Sequence, residues 1–131
     1  MPSDALNFTS GIAAPVTLVA DAETVIATVK GVDVTTDGKR VELRASTLLT
    51  SDATTTGVLL WLREGSLTGT VVAGGDTQDV ITAAGSTNVY GIAGADAPGD
   101  GTGFTYVLTA SCVAATVSPA TVWAVLDAVV F

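Results

Sequence analysis

The chain has no histidine, one cysteine, five basic residues and few aromatics. Without histidine there is no His general base for a catalytic triad and no imidazole for a metal. A lone Cys112 excludes an internal disulfide framework and a thiolate zinc site. The scarcity of Lys and Arg leaves 13 acids against five bases, a net charge of −8. That balance repels phosphates and anionic head groups, so neither nucleic acid nor a membrane is an expected partner. Helix formers other than Ala are also scarce, with 11 Leu, 3 Glu, 2 Lys, 1 Gln and 1 Met. In their place stand 19 Val, 21 Thr and 4 Ile, 44 of 131 residues. Branched Cβ atoms crowd a helix and fit a pleated sheet, so the composition predicts an all-β protein.

At 13.0 kDa the length suits a single domain. Met1 to Leu6 has neither a basic start nor an apolar run, so a signal peptide is not expected. The longest apolar stretch, Ala120 to Phe131, is interrupted by Thr121 and Asp127 and is too short to span a bilayer as a helix. A virion part or a cytoplasmic protein, made without signal-dependent secretion, would satisfy both points.

Residues 1–13 read as an extended arm anchored by Leu6, Phe8 and Ile12, lying on its own domain or on a neighbour. Asn7-Phe8-Thr9 matches a glycosylation sequon that, with no secretory signal, is read as chance. Residues 14–131 read as one β-sandwich domain. Pro15 to Ala20 and Thr24 to Val29 are expected strands. Asp37-Gly38 suits a type I′ turn, and a two-residue loop there would set Val34 against Val41 and Val32 against Leu43. That register also opposes Asp33 and Glu42, which Arg40 and Arg44 could offset diagonally. The strand continues through Leu49, and a Thr-rich loop follows from Ser51 to Gly57.

Val58 to Arg63 is apolar on both faces for five residues, the pattern of a strand buried on both sides. Shorter strands fit Thr70 to Ala73, Thr77 to Thr82 and Thr87 to Ile92, with a long loop from Gly94 to Gly103 before Phe104 to Ser111. Thr121 to Phe131 is the last strand. About eight strands at this spacing predict a jelly-roll-like antiparallel sandwich.

On the last strand Thr121, Trp123, Val125, Asp127, Val129 and Phe131 share one face, and Val122, Ala124, Leu126, Ala128 and Val130 the other. Both faces are apolar. Either the strand is central and covered on both sides, or one face packs on another subunit. The second reading makes Trp123, Val125, Val129 and Phe131 candidate interface residues. Asp96 and Asp100 could hold a hard cation, but no Glu closes the loop, and a solvated turn is the simpler reading. Gly99 to Gly103 lacks the Lys and helix of a phosphate loop. Glu42 and Glu64 adjoin Arg40, Arg44 and Arg63, which predicts surface ion pairs, so no catalytic residue, cofactor or metal ligand is assigned. Trp61, Trp123 and Cys112 read as core residues, the tryptophans having a sugar-stacking platform as the alternative.

Lys39-Arg40-Val41-Glu42-Leu43-Arg44-Ala45-Ser46, Val58-Leu59-Leu60-Trp61-Leu62-Arg63-Glu64-Gly65, Pro98-Gly99 through Thr105-Tyr106-Val107-Leu108-Thr109, and an apolar strand ending in Val-Phe together resemble a group of small phage structural proteins. The resemblance covers about two thirds of the chain and lies in rhythm and turn placement, and residues 1–30 match it less well. It implies a capsid decoration, or cement, protein: a jelly roll, commonly a homotrimer, seated on the outer surface of the major capsid protein lattice. In that setting Leu6, Phe8 and Ile12 would contact the capsid or a neighbouring subunit. The competing readings are a carbohydrate- or receptor-binding sandwich of a viral fibre, and a small hydrolase with a carboxylate pair.

Overall fold

The computed structural model describes residues 6–11, 16–18, 22–34, 40–51, 57–78, 86–113 and 121–130. Among the described residues nine strands are formed: β1 (Leu6–Gly11), β2 (Val16–Thr17), β3 (Thr24–Val34), β4 (Val41–Ser51), β5 (Gly57–Glu64), β6 (Val71–Gln78), β7 (Ser86–Asp96), β8 (Gly101–Val113) and β9 (Thr121–Val130). They make two antiparallel sheets. One runs β1-β9-β4-β7, with β2 also on β9; the other runs β3-β8-β5-β6. Both β1 and β2 lie along the same edge of β9, their registers offset by two residues. From β2 onward each connection crosses between sheets except the β5–β6 hairpin, which gives the jelly roll. That hairpin turns at Gly65, in the left-handed region at φ 88°, and closes with Glu64 N–H donating to the Thr70 carbonyl at 2.9 Å.

The core forms where inward rows of the two sheets meet. The five-stranded sheet sends in Val41, Leu43, Ala45 and Leu49 from β4, and Val122, Ala124, Leu126, Ala128 and Val130 from β9. Facing them are Val58, Leu60 and Leu62 of β5 and Tyr106, Leu108 and Ala110 of β8. Each such Leu or Val contributes roughly 1.5–3 kcal/mol of burial.

The structure corrects several local expectations. Val32 and Val34 do not pair with Leu43 and Val41: β3 bonds to β8 and β4 bonds to β7 and β9. The four side chains still belong to one core, sent into it from opposite sheets. An apolar alternation on both sides of a short loop suits two facing sheets as well as a hairpin, and facing sheets remove the Asp33–Glu42 opposition. The Asp37-Gly38 turn lies outside the described residues. Thr24 to Val29 is the first part of a longer strand, which continues past a bulge at Lys30-Gly31. Gly31 sits at φ 71°, and the extra residue re-phases the strand so that Val29, Val32 and Val34 all point inward.

Val58 to Arg63 is buried on one face only, and Leu59, Trp61 and Arg63 are half-buried. The strands expected at Thr70 to Ala73 and from Thr77 are one, β6, bulged at Gly74-Gly75. Gly74 has φ 103°, and a Cβ there would come within 2.1 Å of the Leu60 carbonyl oxygen. Gly94 to Asp96 belongs to β7 and Gly101 to Gly103 to β8, so the expected long loop is reduced to Ala97 to Asp100.

Candidate functional site

The outer face of the five-stranded sheet is the most distinctive surface. β4 pairs on one side with β7 and on the other with β9, without a register break, so residues align in rows across three strands. Val89, Leu48 and Trp123 form one row. Gly91, Ser46 and Val125 form the next, then Ala93, Arg44 and Asp127, then Ala95, Glu42 and Val129. Alternation along each strand turns these side chains away from the core.

Val89 is 71% exposed, Val125 45%, Trp123 43% and Leu48 40%. They rim an open depression of about 250 Å³ floored by Ser46, Thr47 and Ala124. The polar end of the face is tied by Arg44, whose Nε and Nη2 donate to Glu42 Oε1 at 3.0 and 2.7 Å. The face therefore grades from apolar to charged along the strands.

Trp123 is thus not a core residue, correcting the expectation. A pattern apolar on both faces fits a strand buried twice, whereas here only the Val122-to-Val130 row is covered. Val129 is half-buried, and Phe131 lies outside the described residues. In the arm, Leu6 pairs with Val130 and Phe8 with Ala128 through the backbone, while Ile12 lies outside the described residues.

The other sheet carries a polar cluster on its outer side. Arg63 donates from Nε and Nη2 to the two oxygens of Glu23, at 2.5 and 2.7 Å, and from Nη1 to the Gly69 carbonyl at 2.9 Å. The Thr109 hydroxyl donates to Glu23 Oε2 at 2.5 Å. The Arg63 hydrogen bonds hold the Glu23 carboxyl below its usual range, against partial burial and with help from Thr109. The expected Arg63–Glu64 pairing is therefore corrected: neighbours in a strand point to opposite faces, and Arg63 reaches Glu23 instead. The Arg63 guanidinium also lies 5.8 Å from the Trp61 ring centre, and Trp61 is half-buried over β6.

Glu64 turns to Asp96, and this hydrogen bond, then partial burial and the Asp96 charge, raise its pKa. Asp96 also accepts from the Tyr106 hydroxyl at 2.8 Å and from Ala97 N–H at 3.0 Å. Burial, followed by the Asp96 interaction, pushes the Tyr106 phenol well up. A carboxylate pair does exist here. Its members bond to each other directly, whereas a glycosidase pair stands about 5 Å or more apart with the scissile bond between. Among the described residues no group of three or more His, Cys, Asp or Glu is placed to hold a metal ion.

No protein-family model matches the sequence, and no curated protein matches it either. Solved structures of infectious bursal disease virus do. A VP2 subviral particle is 8% identical, with a TM-score of 0.65 over 96% of this chain and 32% of that one. Chains in the virus-derived T=1 particles and in the Gx strain are 9% and 10% identical. Their TM-scores are 0.64 and 0.61, over 98% and 97% of this chain and 32% of each of theirs. The chain spans about a third of the length of these relatives. At such identities the likeness shows the fold alone: an all-β jelly-roll sandwich, shared with a part of viral capsid proteins.

Proposed function

We propose that the chain is a structural virion protein, a decoration or cement protein that binds the outer capsid lattice and reinforces it. The observation that carries this reading is the exposed apolar row Val89–Leu48–Trp123 with Val125, on a jelly roll of the kind used in capsid shells. A chain at −8 gains little by leaving four large apolar side chains in water unless another surface covers them. In this reading Trp123, Val125, Val129 and Phe131 lie near the threefold of a homotrimer, and Leu6, Phe8 and Ile12 contact the lattice or a neighbour. Many modest contacts, repeated over a lattice, add up to firm attachment. The chain itself performs no chemistry in this role.

Half-exposed Trp123 also touches on a sugar-binding reading. Sugar recognition needs hydrogen-bonding groups beside the ring, whereas the rim of the depression is Leu48, Val89, Trp123 and Val125, and the polar residues of its lining are Ser46 and Thr47 in the floor. Assembly is the better fit. The test is native mass by light scattering during gel filtration, followed by co-sedimentation with assembled phage shells stripped of their own decoration protein. A mass near three times 13.0 kDa and saturable co-sedimentation are expected. A monomer that neither sediments with shells nor assembles on them would overturn the proposal.

A further inference from the structure

Each sheet has two edges, and an edge strand presents unpaired backbone groups unless something blunts it. Three of the four edges are blunted. Between β1 and β2 the register on β9 shifts by two residues, from Gly11 opposite Val125 to Val16 opposite Val122. β3 carries register shifts at three places, with Lys30 at one bulge. β6 shifts register twice around left-handed Gly74 and Gly75. The fourth edge, β7, pairs with β4 over all 11 residues without a shift. It contains no Pro, no Lys and no Arg, and its sole charge is Asp96 at the end. Among the described strands none bonds to its free edge. Val89, Gly91, Ala93 and Ala95, which face outward along it, are all exposed.

We propose that β7 pairs antiparallel with β7 of a second copy about a two-fold axis at Gly91, making one continuous sheet from two jelly rolls. Charge selects this occupant. Two copies at −8 repel nearly everywhere, and the strip from Ser86 to Ala95 is neutral. Antiparallel pairing about Gly91 sets Asp96 of one copy across from Ser86 of the other, so no carboxylates are opposed. It also sets Val89 against Ala93, carrying the outer apolar face across the junction. An isologous contact of this kind closes on itself. It uses the strand edge and leaves the Trp123 side of the face free, so it goes beyond the proposed capsid role and could join trimers in pairs.

Two measurements test it. Hydrogen exchange on the natural chain at high and low protein concentration should show residues 86–96 exchanging about tenfold slower when concentrated, with β6 unchanged. In a C112A background, V89C/A93C should oxidise to a covalent dimer, and A93C alone should not. A chain that stays monomeric at all concentrations overturns the proposal. So does concentration-dependent protection confined to residues 121–130, or equal cross-linking by A93C alone. Should the double variant fail to fold, the exchange measurement decides. Failure of the capsid reading leaves both results unchanged.

Discussion

Glu64, at the end of β5, and Asp96, at the end of β7, are hydrogen-bonded carboxyl to carboxyl across the two sheets. Such a bond needs a proton, which is why Glu64 holds its own to higher pH than usual. The folded-state pKa is raised, so this contact stabilises fully below the ordinary value of 4.5 and is lost as pH rises through the folded value. Glu23 works in the opposite sense: its lowered pKa contributes stability above 4.5 that is lost on further acidification. Glu64→Gln keeps a donor to Asp96 at every pH. The variant is expected to melt above the natural chain at pH 7 and to converge with it near pH 4. Thermal melts from pH 4 to 8 measure this; equal melting of the two chains at pH 7 would count against a shared proton.

The Arg63–Glu23 pair fastens the segment before β3 onto the outer side of β5 and β8. Both side chains are less than one fifth exposed. Arg63→Ala strands a largely buried carboxylate and is expected to cost about 2–3 kcal/mol, at or below the lower end for a buried pair because some solvent reaches it. Thr109→Val removes a single hydroxyl donor and should cost about 1–2 kcal/mol. Denaturant titration measures both, and Arg63→Lys should recover only part of the loss because an ammonium cannot form the two-pronged bond.

Adjacent strand positions separate folding from assembly on β9. Leu126 is wholly buried, and Leu126→Ala should cost about 2–5 kcal/mol. Trp123→Ser lies on the outer face and should change monomer stability by no more than about 1 kcal/mol, while lowering the native mass. Retention of the oligomer with a large fall in melting temperature would instead make Trp123 a packing residue.

The two alternating rows of the last strand are legible in the sequence, as is the turn-rich spacing of a sandwich, but that the row of Val122, Ala124, Leu126, Ala128 and Val130 is the inward one is not. Pairing was less legible. Local alternation around Asp37-Gly38 is the same whether the flanking strands bond to each other or face each other from two sheets. The bulges at Lys30-Gly31 and Gly74-Gly75 shift the periodicity midway, so each strand reads as two shorter pieces. The outer apolar face was visible as residue types, but its exposure was not: covering β9 on both sides and leaving one side open call for the same side chains. Arg63–Glu23 and Glu64–Asp96 join residues 40 and 32 positions apart, beyond the reach of any local pattern.

The place of β9 between β1 and β4 has a kinetic consequence. Its bonding partners are made roughly 70 to 120 residues earlier in the chain, and β8 likewise joins β3 to β5. Neither sheet can close until synthesis has passed its central strand. Most of the nascent chain must therefore wait with strand edges open, and folding should be slow for so small a protein. High-contact-order topology also makes the waiting chain vulnerable to aggregation.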